Sequence, residues 1–274
     1  MYILFRIFYL LASVKLLGKS WWIFYYLDFF RKPIVFKNLE IAFPQKSKKE
    51  KIKIAKETYK NFLTFFEDII DFNKHPEKLN EIKVKGEENI FNAINSDKPI
   101  ILMTAHFGNW EIAPKYINTK YHKPMAVIMR EIENEKINQF FKRIRGNEDI
   151  KLINKNNSSR EIIKALLKEK RMLGILIDQR ISNSNAPIVD FLIPTKFNPA
   201  ISKIAKSTKA IVLPVFCYKK ENNYFLEFKI PREFKDTSIE EFTQWQAKEI
   251  EEMIKKYPSQ YYWFHDRWKE IIKY

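Results

Sequence analysis

The chain has 274 residues, 46% of them hydrophobic, and a net charge of +16. This composition is enough for one large core, in one domain or one domain with an appendage. Its five glycines form no Gly-x-Gly-x-x-Gly, Walker or Gly-x-Ser-x-Gly motif, so the corresponding nucleotide sites and nucleophile elbows are excluded. The single cysteine, Cys217, excludes an internal disulfide and a cysteine-rich zinc site. The charge favours acidic partners such as nucleic acid, anionic lipid or an acidic carrier protein, although part of it reflects lysines scattered over solvated helix faces.

The first part of the chain, residues 1–30, is unusually apolar and aromatic, and the basic residues that interrupt it are Arg6, Lys15 and Lys19. Its longest uncharged runs, 7–14 and 20–27, are eight residues each, whereas a spanning helix needs about 20 apolar residues. Tryptophan and tyrosine pairs next to basic residues are typical of the headgroup boundary. We therefore predict a membrane-associating segment at 1–32 that lies in the interface, followed by one domain at 33–274. The alternative for the segment is a buried core helix.

Three capping boxes mark expected helix starts, because a serine or threonine followed three residues later by glutamate satisfies the free amides of a first turn. They are Ser47 with Glu50, Ser158 with Glu161, and Thr237 with Glu240. The first precedes a helix that should run to about Phe72.

Beyond residue 80, short apolar runs alternate with amphipathic segments. The predicted strands are Ile100–Thr104, Met125–Met129, Met172–Ile177, Ile211–Phe216 and Tyr224–Ile230, and the predicted helices are 109–117, 133–145, 159–169, 198–207 and 239–256. This alternation indicates an α/β fold with a mostly parallel central sheet flanked by helices. Sites in such sheets lie at the carboxyl ends of strands, and His106, Arg130 and Asp178 each follow a predicted strand.

The segment Ala105-His106-Phe107-Gly108-Asn109-Trp110-Glu111 carries the clearest chemistry. On one continuous helix His106 and Glu111 would lie about 140° apart, so they meet only if His106 is in a turn and Glu111 in the first helical turn. Gly108 and Asn109 favour such a turn. Glu111 would then accept a hydrogen bond from one imidazole nitrogen and leave the other as a general base. The alternative is a histidine that only satisfies backbone carbonyls in a turn.

Several ordered motifs resemble one enzyme family. The stretch Thr104–Glu111 is similar to the His-x-x-x-x-Asp/Glu signature of the bacterial lipid A late acyltransferases, the lauroyl and myristoyl transferases of lipopolysaccharide synthesis. Arg130 after a strand, the Asp178-Gln179 step, and a closing Pro-x-Gln-Tyr-x-Trp-x-His-x-Arg motif at 258–267 also resemble that family. The 191–195 segment departs from it, since the second Phe and the Gly of its Phe-Phe-Gly-x-x-Ala pattern are missing.

The resemblance implies a glycerolphosphate-acyltransferase-like fold and transfer of a fatty acyl chain from acyl carrier protein to a hydroxyl of a lipid A precursor of the Kdo-lipid IVA type. His106 would take the hydroxyl proton, and Glu111 would orient His106. The substrate-binding candidates are Asn109, Arg130, Asp178, Gln179, His265 and Arg267. The alternatives are purely structural roles: a surface salt bridge for Arg130, support of the fold for Asp178, and packing for His265 and Arg267.

The same resemblance implies no cofactor and no metal. It implies three partners: acyl carrier protein, an anionic lipid A precursor and the membrane, on the cytoplasmic face of the inner membrane. Arg143 and Arg145, a basic pair on a predicted helix, either meet such an acidic partner or face solvent. The alternatives left open are an acyltransferase for another lipid or glycolipid acceptor, and a basic membrane-surface protein without catalysis. A nucleic-acid-binding module is disfavoured, because the basic residues are dispersed and no nucleic-acid motif is present.

Overall fold

A computed structural model describes residues 2–146, 149–155, 158–181, 185–272 and 274. Its strands are β1 (Lys83–Lys85), β2 (Ile100–Thr104), β3 (Met125–Met129), β4 (Ile150–Asn154), β5 (Met172–Leu176), β6 (Ile188–Phe191), β7 (Ile193–Lys196), β8 (Ile211–Lys220), β9 (Asn223–Phe228) and β10 (Arg232–Glu233). Its α-helices are α1 (Tyr2–Ser13), α2 (Trp21–Leu27), α3 (Lys32–Ala42), α4 (Lys48–Lys74), α5 (Glu87–Asn95), α6 (Ile112–Tyr121), α7 (Glu135–Arg145), α8 (Ser158–Ile163), α9 (Ala200–Thr208) and α10 (Ile239–Lys256).

The central sheet has the order β1-β9-β8-β2-β5-β3-β4, with β10 paired to β8. The strands β8, β2, β5, β3 and β4 are mutually parallel. The strand β9 runs antiparallel to β8 and parallel to β1. Hydrophobic clusters cover the sheet, and helices flank it. The predicted α/β fold with a mostly parallel sheet is therefore confirmed.

The run Ile100–Thr104 is buried at every position, because β2 lies between two parallel neighbours with a packed layer on each face. The strand β4 was not predicted from the sequence. Among the described residues it pairs with β3 alone, so it is an edge strand of five residues, and Lys151 and Asn154 interrupt its apolar pattern.

The predicted helix starts were confirmed in part. The Ser47 and Glu50 box is formed, with the Ser47 amide 2.8 Å from the Glu50 carboxylate. The box predicted at Thr237 and Glu240 lies one residue later, at Ser238 and Glu241. The side chain of Ser158, the third predicted cap, lies outside the described residues.

The first two helices pack beside α4. Leu17 and Tyr25 are buried there, and the Glu67 carboxylate of α4 accepts a hydrogen bond of 2.8 Å from the Gly18 amide. Other large side chains of this region point outward and form what we call the apolar shelf: Val14, Leu16, Trp22, Ile23, Phe24, Tyr26, Leu27, Phe29 and Phe30. None of the helices in the described part of the chain has both the length and the hydropathy to cross a bilayer.

Candidate active site

The register of two neighbouring strands brings His106 to Asp178. Thr104 at the end of β2 is the partner of Leu176 at the end of β5, and each functional residue lies two positions further along its chain. The His106 Nδ1 is 2.9 Å from Asp178 Oδ1, and the His106 amide donates to the same oxygen at 3.1 Å. Parallel strands therefore present a histidine and a carboxylate together at their carboxyl ends.

The two imidazole nitrogens of His106 have different surroundings. A carboxylate can only accept, so the Nδ1 nitrogen carries the proton and Nε2 is left as the acceptor. The Gln179 side-chain nitrogen lies 3.3 Å from Nε2, where its N–H donates to that acceptor. The basic nitrogen of His106 thus points to the exposed side of the site, with the amide of Gln179 over it.

Asp178 is buried, with 3% of its side chain exposed against 21% for His106. Burial acts to raise the pKa of the Asp178 carboxyl, but the charge of His106 and the hydrogen bonds from its ring and amide outweigh this and hold that pKa below its usual value. Burial, followed by the Asp178 charge, raises the pKa of the Tyr261 hydroxyl. Asp178 is therefore ionised at neutral pH and held from several directions.

The predicted pairing of His106 with Glu111 is corrected by this geometry. Glu111 binds the guanidinium of Arg145 through both carboxylate oxygens, with an Nε–Oε2 distance of 2.8 Å. It also accepts a hydrogen bond of 3.2 Å from Trp110 Nε1. Helix α6 begins only at Ile112, so Glu111 points to α7, and the carboxylate beside the imidazole is that of Asp178.

The turn after β2 depends on Gly108. Its φ is +58°, and a Cβ there would lie 1.9 Å from the Cys217 carbonyl oxygen. The next amide, that of Asn109, donates to the same carbonyl at 2.8 Å. Only glycine fits this left-handed, tightly packed position, and the close approach fastens the turn to β8.

Asn109, a predicted substrate-binding residue, is buried at 2% exposure. Its amide nitrogen lies 3.5 Å from the Phe65 carbonyl oxygen, so it joins the turn to α4. It also lines the cavity beside the His106 turn, so its role toward a substrate stays a prediction.

The closing motif forms the opposite wall of the site. The Tyr262 amide donates to the His106 carbonyl at 2.9 Å, and the Gly108 amide donates to the Gln260 carbonyl at 2.8 Å. The Gln260 side chain bonds both the amide and the carbonyl of Lys219, at 2.9 and 2.7 Å. These contacts and a single antiparallel bridge between Phe107 and Tyr261 hold the His106 turn in place.

The remaining predicted residues occupy different environments. Arg267 is 3% exposed, donates to the Lys196 carbonyl at 2.8 Å and lies over the rings of Phe191 and Phe197. This burial favours the alternative of packing for Arg267 over a role in substrate binding. His265 is half-buried, and burial lowers its pKa. Arg130 is exposed after β3 and makes no ion pair within the part of the chain that the structure describes, so its cation is available to a ligand.

A cavity of about 40 Å³ lies between α4, the His106 turn and the closing segment. Its aromatic walls are Phe62, Phe65, Trp110, Tyr262 and Phe264. Two of these rings also flank the imidazole, with centroid distances to His106 of 5.1 Å for Trp110 and 6.0 Å for Tyr262. The site therefore combines a buried carboxylate hydrogen-bonded to an imidazole, an exposed basic nitrogen and an apolar aromatic wall.

Two contacts were missed at the level of sequence. For Arg145 the sequence left an acidic partner or solvent open, yet the residue pairs with Glu111 inside the protein; the opposite charges of the two residues were the available signal. His106 and Asp178 were both predicted to follow strand ends, and this shared position was the signal for their contact once the two strands were known to be neighbours.

Comparison with known proteins agrees with the motifs. A family model described as bacterial lipid A biosynthesis acyltransferase matches residues 10–270. A phosphatidylinositol mannoside acyltransferase of Mycolicibacterium smegmatis is 19% identical over 202 residues, which are 73% of this chain and 65% of that protein. The protein of that name from Mycobacterium tuberculosis is 18% identical over 202 residues, 73% of this chain and 63% of its own length. The matched region thus spans somewhat less than two thirds of each curated relative.

Proposed function

This chain belongs to the bacterial lipid A biosynthesis acyltransferase family, and we propose that it transfers a fatty acyl chain from acyl carrier protein to a hydroxyl of a lipid A precursor of the Kdo-lipid IVA type. The observation that carries the proposal is the His106–Asp178 pair at the ends of β2 and β5, with Nε2 of the imidazole free of the carboxylate. A histidine in this arrangement activates an alcohol without forming a covalent enzyme intermediate.

The reaction needs one base that later acts as an acid. The acceptor hydroxyl displaces the Gln179 amide from His106 Nε2, its oxygen attacks the thioester carbonyl, and Nε2 takes its proton. The tetrahedral intermediate then collapses, the carbon–sulfur bond breaks, and the imidazolium returns the proton to the leaving thiolate. Asp178 holds the Nδ1 proton and stabilises the imidazolium between the two steps. The thioester is already activated, so the scheme balances with no further reactant.

The surroundings suit both substrates. The aromatic wall formed by Trp110 and Tyr262 beside the imidazole fits an acyl chain, and the exposed cation of Arg130 fits a phosphate or sugar acid of the acceptor. The net charge of +16 favours approach of an acidic carrier protein and an anionic lipid. The names of the two mycobacterial relatives support a second candidate acceptor, a mannosylated phosphatidylinositol.

The first test is acyl transfer by His106→Gln. We expect turnover to fall by about 10²- to 10⁴-fold, because the general base is lost while a polar side chain of similar shape remains. Purified wild type and variant are assayed with acyl carrier protein and coenzyme A thioesters as donors. Acceptors are the lipid A precursor and a phosphatidylinositol mannoside, and products are identified by mass spectrometry.

His75→Gln is the matched control, since His75 is an exposed histidine at the end of α4 and should retain full turnover. Wild-type turnover by His106→Gln would contradict the mechanism. Transfer to the mannosylated lipid alone would replace the lipid A precursor with the second candidate.

We also propose that the apolar shelf inserts into the headgroup and upper acyl region of the cytoplasmic leaflet of the inner membrane. Phe29 and Phe30 are 73% and 88% exposed. A patch of nine large apolar side chains in one region is unusual for a protein surface that meets only water. Tryptophan, tyrosine and phenylalanine side chains of this kind favour the membrane interface.

Replacing Trp22, Phe29 and Phe30 with serine is expected to weaken vesicle binding at least tenfold, since about 25 cal/mol of transfer free energy is lost for each Å² of apolar surface. Point variants are preferable to removing residues 1–30, because Leu17 and Tyr25 of that segment are buried in the protein. Sedimentation with vesicles measures the binding, and circular dichroism verifies the fold. Undiminished pelleting of the variant would contradict the proposed role of the shelf.

A further inference from the structure

A row of lysines lies on α4 next to the apolar shelf. Lys49, Lys53, Lys56 and Lys60 are spaced by four, three and four residues, a spacing that places side chains on one face of a helix. Together with Trp21 they line a single groove between α2 and α4. We call these four residues the lysine row.

The charges of the lysine row are not neutralised by the protein. Lys49, Lys53 and Lys60 are exposed, and none of the four forms an ion pair with another residue that the structure describes. Two glutamates also line the groove; Glu50 is engaged by the Ser47 cap and by Lys46, which leaves the exposed Glu57 against four lysines. The row therefore keeps a surplus of positive charge that favours an anionic partner.

The lysine row is continuous with the shelf and with the active site. The Lys56 ammonium lies 5.7 Å from the ring centre of Tyr25 and 6.0 Å from that of Tyr26, a shelf residue. At the other end, Asn61 follows Lys60 directly and, with Phe62, lines the aromatic cavity beside the His106 turn. One surface thus leads from exposed aromatic side chains, past free cations, to the mouth of the site.

We infer that the lysine row is a docking surface for an anionic bilayer. The aromatic side chains of the shelf enter the outer acyl region, and the ammonium groups lie at the level of the lipid phosphates. This orientation sets the mouth of the aromatic cavity against the layer in which a lipid acceptor resides. The inference rests on the proposed function only in that the acceptor is a membrane lipid.

The test compares Lys49→Gln/Lys53→Gln/Lys60→Gln with wild type in binding to vesicles. We use phosphatidylcholine vesicles and equimolar phosphatidylcholine–phosphatidylglycerol vesicles at low and high salt. Each lysine near an anionic surface contributes about fivefold to the affinity, so the triple variant should bind the anionic vesicles about 100-fold more weakly at low ionic strength. Wild type should lose affinity as salt rises, and the variant should lose much less.

The matched control carries the same charge change elsewhere. Lys168, Lys203 and Lys248 are exposed lysines outside α4, and their replacement by glutamine should cost only a small part of the affinity. Equal losses in the two triple variants would overturn the inference, because net charge alone would then explain binding. Equal wild-type binding to neutral and anionic vesicles would also overturn it.

Acyl transfer to a detergent-dispersed acceptor is measured on the same wild-type sample as a separate readout. No transfer there would contradict the proposed function, while a selective loss of vesicle binding in the lysine-row variant would still support the docking surface. Normal transfer by wild type, together with equal vesicle binding by the lysine-row variant and wild type, would support the proposed function and overturn the docking surface.

Discussion

Replacing Asp178 with asparagine is expected to lower kcat by about 10³- to 10⁴-fold while the protein remains folded. Asparagine preserves the shape of the side chain but removes the charge that stabilises the imidazolium of His106. Its amide can also donate to Nδ1, which would favour the tautomer with the proton on Nε2 and block the base. Steady-state kinetics with the acyl donor and lipid acceptor, together with thermal unfolding, measure both effects.

Glu111→Gln is the informative comparison, because the sequence pointed to that carboxylate and the structure pairs it with Arg145. We expect turnover to fall by about 10- to 100-fold, as is usual for a residue that orients the site without contacting the reacting groups. Asp178→Asn should therefore be the more damaging change. A nearly inactive Glu111→Gln together with an active Asp178→Asn would restore the pairing predicted from the sequence.

The pH dependence of stability also distinguishes wild type from Asp178→Asn. The pKa of Asp178 lies below its usual value because of His106, so the carboxylate is negative throughout the range in which an imidazole titrates. A carboxyl whose pKa is lower in the folded than in the unfolded protein stabilises the fold above its unfolded pKa, and this contribution is lost as the pH falls through the lowered pKa. The free energy of unfolding of wild type should therefore fall more steeply on the acid side than that of Asp178→Asn, which lacks the group, and denaturant unfolding at several pH values measures the difference. Equal acid-side losses in the two proteins would contradict a stabilising, ionised Asp178.

The sequence predicts the parallel sheet well because its central strands are short, continuous apolar runs. Such runs are typical of strands buried on both faces, as in β2 and β5. The structure departs from the prediction at the edges. The strands β1 and β4 and the hairpin β6–β7 are short. The strands β1 and β4 also lie at the two ends of the sheet order, where one edge of the strand has no neighbouring strand and the sequence can be more polar.

For the site, the sequence identifies the individual residues better than their contacts. His106 and Asp178 were both placed at strand ends, but they are 72 positions apart, and their contact depends on which strands are neighbours. That order is decided by the packing of the whole sheet rather than by local pattern. Glu111 was favoured as the partner because it is close in sequence, yet Arg145, 34 positions away, is its partner in space.

Gly108→Ala is expected to destabilise the protein by about 3–5 kcal/mol and to remove activity. A left-handed backbone costs a non-glycine residue about 1–3 kcal/mol, and the added Cβ would meet a backbone oxygen of Cys217 at 1.9 Å. Because backbone cannot rotate away as a flexible side chain does, the turn must shift, and the adjacent His106 must shift with it. Denaturant unfolding measures the free energy, and a changed midpoint at constant slope identifies a loss of stability.

Alanine substitutions at two other glycines distinguish the effect of backbone strain on stability from the effect of the His106 turn on turnover. Gly86 also has a positive φ, +64°, and its Cβ would lie 2.1 Å from the Phe228 carbonyl oxygen, but it caps α5 rather than the His106 turn. Gly86→Ala should therefore destabilise the protein to a similar degree while each folded molecule keeps its turnover. At Gly174 the nearest atom is a side-chain methyl of Val127 at 3.3 Å, and alanine there should change stability by at most about 1 kcal/mol. If Gly108→Ala kept wild-type turnover per folded molecule, the His106 turn would not need the geometry that joins it to Asp178.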